Sequence, residues 1–100
     1  MILVRDVFRV QFGKMCEALA AFRAVGKVAQ SGGYGNESLR VLTDLVGPFY
    51  TLVLETTYPN LTAYEQMGVK SMGNEEWRAA YQKFTPFVES GHREIFTIVE

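Results

Sequence analysis

The chain holds one cysteine, one histidine and one tryptophan in 100 residues, a nearly even balance of charge and no long apolar run. Each scarcity removes a class of function. A lone Cys16 cannot close an internal disulfide, and on a helix it is most simply a small core residue. A lone His92 supplies no ligand set at metal-binding spacing, so no metal is expected and a haem ligand has no support. Ten basic residues against eleven acidic ones give a formal net charge of −1. The basic residues are scattered, which leaves no electrostatic footprint for nucleic acid. No segment reaches the roughly 20 apolar residues of a membrane span, so no membrane partner is expected. The opening MILVRDVFRV is interrupted by Arg5, Asp6 and Arg9 and precedes no small-residue cleavage site. It reads as a strand rather than a signal peptide, and a cytoplasmic location is the expectation. The glycosylation-type triplets Asn36-Glu37-Ser38 and Asn60-Leu61-Thr62 carry no meaning in that setting.

What the chain has in quantity is apolar surface: 48% of residues are hydrophobic and 13% aromatic, against 21% charged. This exceeds what a disordered chain carries, so residues 1–100 are expected to form one domain with a real core. A chain this short buries only roughly two thirds of its unfolded surface, and association with a partner would add to its stability.

Residues 2–11 (ILVRDVFRVQ) are rich in β-branched and aromatic types and read as a first strand. Gly13 ends it. Met15, Ala18, Leu19, Phe22, Val25 and Ala29 then recur at helical spacing from about Lys14 to Gln30. Gly26 inside that helix costs about 1 kcal/mol relative to alanine and predicts close packing or a bend. Gly32, Gly33, Tyr34, Gly35 and Asn36 form the clearest loop. Two alternating runs follow, Ser38 to Val46 and Phe49 to Tyr58, split by Gly47-Pro48 in a hairpin signature. Asn60 caps a helical region bearing Leu61, Tyr64, Met67 and Met72. Asn74 caps a second segment with Glu75 and Glu76 in its first turn, where a helix favours negative charge. Trp77, Ala80, Tyr81, Phe84 and Val88 make one side of it aromatic, and Pro86 ends or kinks it. His92 to Glu100 is the closing strand.

The order strand, helix, strand, strand, helix, strand is the split βαβ arrangement. It predicts an α+β, ferredoxin-like βαββαβ fold, a four-stranded antiparallel sheet with helices on one face. By the two-residue period, Ile2, Val4, Phe8, Val10, Val41, Leu45, Leu52, Leu54, Phe96 and Ile98 fall on the helix side. The opposite side mixes Leu3, Val7, Leu42, Val46, Phe49, Val53, Ile95 and Val99 with Arg5, Arg9, Arg40, Asp44, Thr51, Glu55 and Thr97. That mixture is too apolar for a free surface, which predicts a homodimer closed through the open sheet face. Charges enclosed there have to pair, Arg40 or Arg5 with Asp44 or Glu55.

This layout resembles the dimeric α+β barrel superfamily, and within it the NIPSNAP-type domain. The resemblance is carried by Phe12-Gly13-Lys14 opening the first helix, by the hairpin Thr43-Asp44-Leu45-Val46-Gly47-Pro48-Phe49-Tyr50, and by Trp77-Arg78-Ala79-Ala80-Tyr81 running on to Phe84-Thr85-Pro86-Phe87-Val88-Glu89-Ser90-Gly91. It spans essentially the whole chain and implies the dimeric α+β barrel. Related families on this fold include cofactor-independent antibiotic-biosynthesis-type monooxygenases, haem-degrading enzymes and proteins with no assigned activity, so fold does not select function.

Seven residues are candidates for contact with a ligand. Arg9, Arg40, Asp44 and Glu55 are charges among apolar neighbours inside a concave barrel, where ligand-orienting contacts occur; the alternative is a structural ion-pair network across the dimer. His92, next to a turn, reads as an acid or base near neutral pH or as a solvated residue. Trp77 with Tyr81 and Phe84 lines an aromatic pocket or belongs to the core, and Tyr50, like Tyr64 and Met67, is ambiguous in the same way. The glycines at 32, 33 and 35 follow a helix and precede a strand, the wrong context for a phosphate cradle. No paired nucleophile and base is present for hydrolysis or acyl transfer. The expectation is a homodimer that binds a small, partly apolar or aromatic molecule, with no cofactor. The alternatives are a cofactor-independent monooxygenase acting on an electron-rich aromatic, with Arg or Tyr stabilising an anionic intermediate, and a purely structural partner domain with a filled interior.

Overall fold

The computed structural model describes residues 1–31 and 38–99. Strand β1 (Ile2–Val10) leads through a turn at Gly13, whose φ of +82° suits glycine, into helix α1 (Met15–Ser31). Strands β2 (Arg40–Thr43) and β3 (Thr51–Tyr58) follow, then helices α2 (Leu61–Met72) and α3 (Glu75–Phe84). A 3₁₀ turn (Thr85–Phe87) leads directly into β4 (Val88–Thr97). The four strands form one antiparallel sheet in the order β2-β3-β1-β4, the ferredoxin-like topology. The glycine-rich stretch from Gly32 to Asn36 lies outside the described residues.

Local chemistry sets the helix boundaries. The Asn60 side chain accepts from the Ala63 amide at 2.9 Å, and that of Asn74 accepts from the Trp77 amide at 2.8 Å, so both asparagines cap as their sequence positions predict. Pro86 falls in the 3₁₀ turn after α3 has ended. That turn is tied to β1, since the Gln11 amide donates to the Phe87 carbonyl and the Gln11 side chain to the Pro86 carbonyl. The core joins the sheet to α1 and α3 through buried Val10, Ala18, Leu52 and Phe84. The Phe84 ring meets Phe8 edge-on at 5.4 Å and Phe22 at 5.8 Å.

Several details depart from the sequence expectations. β2 ends at Thr43 and β3 begins at Thr51, so residues 44–50 form a longer connection with Leu45 97% and Val46 94% exposed. Asp44 closes its base by accepting from the Thr51 amide at 2.9 Å. Tyr50 takes a left-handed backbone (φ 59°), which non-glycine residues rarely adopt, and its carbonyl accepts from the Val10 amide at 2.8 Å. β4 starts four residues before His92. Ser90-Gly91 is inside the strand, where Phe8 lies against Gly91 so closely that an added Cβ would sit 2.9 Å from its ring. The faces of β4 are also the reverse of the expectation: Phe96 pairs with Leu3 on the open side, and Ile95 and Thr97 pair with Val4 and Ile2 on the helix side. Apolar residues of both parities between Ile95 and Val99 leave the phase undefined by composition. Cys16 is exposed rather than a core residue. A Cβ at Gly26 would meet nothing within 4 Å, so close packing does not account for it.

Candidate functional site

The seven candidate residues lie in three places. The first is the open face of the sheet, where the strand register aligns one residue from every strand into a row, Arg40–Glu55–Arg5–Glu94. Arg40 Nη2 reaches Glu55 Oε1 at 2.6 Å, Arg5 Nε reaches Glu55 Oε2 at 3.2 Å, and Arg5 Nη1 reaches Glu94 Oε1 at 3.2 Å. Glu55 is only 8% exposed even in the single chain. His92 stands in the neighbouring row beside Val7, its Nε2 3.8 Å from Glu94 Oε2. Arg9 lies farther along the same face between Thr51 and Ser90, exposed and in no ion pair among the described residues.

The second place is the end of the sheet at the 44–50 connection. Asp44 and Tyr50 line an open cleft of about 400 Å³ with Phe12, Met15, Thr43 and Phe49. The Phe12 ring sits 4.5 Å from Tyr50 and 6.3 Å from Phe49.

The third place holds the groups best arranged for chemistry. An open cleft of about 410 Å³ runs between α3 and the β4 edge, lined by Asp6, Phe8, Tyr81, Phe84, Thr85 and residues 88–93. Arg93 Nε donates to Asp6 Oδ1 at 2.5 Å and its Nη2 to Oδ2 at 3.5 Å. The guanidinium also lies over the Tyr64 ring, 5.6 Å from its centre, and Tyr64 packs on Tyr58. The hydrogen bond to Asp6 raises the pKa of Arg93 above its ordinary value. Burial raises the phenol pKa of Tyr81, with the Asp6 charge adding to it, and burial likewise raises that of Tyr64. Both phenols therefore stay protonated, as hydrogen-bond donors, throughout the physiological range. Trp77 stacks on Tyr81 with ring centres 5.0 Å apart and planes 9° from parallel, so it backs this cleft.

Of the sequence candidates, the register unites Arg40, Glu55 and His92, the hairpin end unites Asp44 and Tyr50, and Trp77 stands behind the third cleft. Asp6 and Arg93, the central pair of that cleft, are not among the sequence candidates, because the apolar pattern phases the closing strand the other way. A signal for them exists: Arg5-Asp6 and Arg93-Glu94 are complementary dipeptides, and one antiparallel register satisfies both pairs on opposite faces. Among the described residues no three His, Cys, Asp or Glu side chains gather into a metal-binding group, and no helix is long and apolar enough to cross a membrane.

Solved structures similar to this chain agree on the architecture. A NIPSNAP family protein from Agrobacterium tumefaciens superimposes with a TM-score of 0.87 at 23% identity, covering 99% of this chain and 86% of that one. An uncharacterised NIPSNAP domain protein from Burkholderia xenovorans gives 0.83 at 16%, covering 99% and 95%. An antibiotic biosynthesis monooxygenase gives 0.74 at 12%, with both chains fully covered. At these identities the likeness speaks for the fold. No curated protein matches the chain. The NIPSNAP family model matches residues 5–100, and with the ferredoxin-like sheet already traced, the chain belongs to the NIPSNAP family.

Proposed function

We propose that the protein is a homodimer joined through the open sheet faces, each chain binding a small, partly apolar molecule in the cleft between α3 and β4. The dimer is supported by the open face itself, where Leu42 and Phe96 remain well exposed beside the charged row. The observation that carries the ligand reading is the Asp6–Arg93 pair set beside Tyr81 in a cleft walled by Phe8 and Phe84. Asp6 engages two of the three guanidinium nitrogens and leaves Arg93 Nη1 as a donor. The ligand thus has an apolar or aromatic body for the rings and an acceptor group, such as a carboxylate or phenolate, for Arg93 and the Tyr81 hydroxyl.

Trp77 is the chain's only tryptophan and stacks on Tyr81, so its emission reports on the cleft. Titration with naphthoate, an aromatic carboxylate, is expected to quench it saturably, with affinity falling at least tenfold in Arg93→Gln. Unchanged emission in the parent, or equal affinity in the variant, overturns the reading. A second reading is favoured by the pairing of a donor phenol with a guanidinium in one cleft: oxygenation of an electron-rich aromatic without a cofactor, the anionic intermediate held by Arg93 and Tyr81. Oxygen uptake on adding a polyphenol, lost in Arg93→Gln, supports it; no uptake removes it.

A further inference from the structure

The stretches Phe12-Gly13-Lys14 and Thr43 to Tyr50 meet at the second cleft, on the hairpin end of the sheet, and the function proposed above uses neither. Thr43 pairs with Leu52, whose side chain belongs to the core under α1 and α3. The cleft therefore opens on the helix side, away from the face proposed for the dimer. Local backbone chemistry builds its walls. Gly13 turns the chain from β1 into α1 beside it. The left-handed Tyr50 gives its carbonyl to the Val10 amide while its ring, with Met15, packs against the core. Phe12 leans on Tyr50 with ring centres 4.5 Å apart, and Phe49 stands at 90° to Phe12 with centres 6.3 Å apart. Phe12 is 75% and Phe49 67% exposed, so neither ring serves the core. Two large aromatic rings left accessible around one cleft are contact surface for something else.

The charge in the cleft says what that is. Of the six residues that line it, Asp44 alone is charged. Its Oδ1 accepts from the Thr51 amide at 2.9 Å, and its Oδ2 has no hydrogen bond or ion pair among the described residues. An anion would meet this carboxylate and no basic side chain. A metal ion would find one carboxylate where it takes about six oxygen ligands. A primary ammonium carries three N–H donors that each need an acceptor once water is removed. An N-methylated ammonium has no such need. Its methyl groups pack on aromatic rings, and its charge is drawn to a ring face from within about 6 Å of the centre. At the 6.3 Å spacing of Phe12 and Phe49, one cation can lie about 4.5 Å from both centres, inside that range. We propose that this cleft binds the quaternary ammonium group of a small soluble molecule, with Phe12 and Phe49 against its methyl groups, Tyr50 backing Phe12, and Asp44 Oδ2 as the counter-charge.

Choline is a suitable probe, and 3,3-dimethyl-1-butanol, in which carbon replaces the charged nitrogen, is its neutral match in shape. Proton NMR of the N-methyl signal reads the site directly, because protons held over aromatic faces shift upfield. Titration of the unmodified protein with millimolar choline is expected to give a saturable upfield shift, and the neutral alcohol to bind at least fivefold more weakly. Asp44→Asn keeps an oxygen for the Thr51 amide and removes the charge; Phe49→Leu keeps the apolar bulk of an exposed position and removes the ring. Each is expected to weaken choline binding at least threefold. Arg93→Gln, in the α3–β4 cleft, is expected to bind choline as the parent does, so this result and the naphthoate titration succeed or fail separately. No upfield shift in the parent overturns the proposal. Equal binding of the neutral alcohol overturns it as well, by reducing the cleft to an apolar groove. So does a loss of binding in Arg93→Gln in place of the Asp44 and Phe49 variants, which would put the cation elsewhere.

Discussion

The two faces of the sheet treat their apolar residues differently. On the helix side the chain supplies its own cover: Phe84 and Ala18 close over Val10 and Leu52, and all four are essentially inaccessible. On the other side, among the described residues, the centre is shielded by its own long side chains. Glu55 and Val53 are buried between arginines and aliphatic neighbours, while Leu42 and Phe96 stand exposed. One face is finished within the chain; the other carries exposed apolar groups beside a row of charge. Charge is also used differently. Among the described residues the helix side holds one ion pair, Asp6–Arg93, next to phenols and a cleft, whereas the open side holds a continuous row from edge to edge.

The contrast is broken most forcefully at Phe84. Phe84→Ala removes a ring packed on Phe8, Phe22 and Tyr81, and the expected loss is about 3–5 kcal/mol by guanidinium denaturation. A loss below about 1 kcal/mol would mean that the helix side is not the dominant core. Gly91→Ala tests the same face at its edge. The new Cβ would press on the Phe8 ring at 2.9 Å and the Val7 carbonyl at 3.1 Å, with an expected loss of about 1–3 kcal/mol, read from the thermal midpoint.

Glu55→Gln probes the open face. It leaves Arg5 and Arg40 beside a neutral amide, and the expected loss is about 1–2 kcal/mol by the same denaturation. No loss at all would describe a solvated row, unlike the enclosed one required by a dimer. The smallest effect separates the faces by pH. Tyr64 and Tyr81 on the helix side have phenol pKa values raised above 10.0 by burial. The folded state holds those protons more tightly than the unfolded state. Their contribution to stability is therefore complete below the ordinary phenol value and is lost as pH rises through the raised values. Ultraviolet titration of the native protein should show these two phenols ionising late, and Tyr81→Phe should remove one of them. Ordinary titration by every tyrosine would contradict the burial.

Much of the fold was legible in the sequence because its signals are local and strong. Helical spacing from Met15 to Ala29, asparagines at 60 and 74, and Pro86 after an aromatic stripe each act within a few residues of where they stand. The phase of β4 was not legible from hydrophobicity, since Ile95, Phe96, Ile98 and Val99 place apolar groups on both parities. The decisive information was electrostatic and non-local, the match of Arg5-Asp6 to Arg93-Glu94 across the sheet. Gly91 differs from its sequence reading for a related reason: a glycine that normally interrupts a strand is here required by a ring from the neighbouring strand. The candidate site divided along the same line. The pairing of Arg40 and Arg5 with Glu55 follows from residues that share a face, whereas Asp6 and Arg93 emerge only once the register is known.

The proposed closure of the open face is tested most directly by the solution mass of the unmodified chain. Sedimentation equilibrium at micromolar concentration is predicted to return the mass of two chains. A folded protein at the mass of one chain, with native near-ultraviolet dichroism retained, would contradict it.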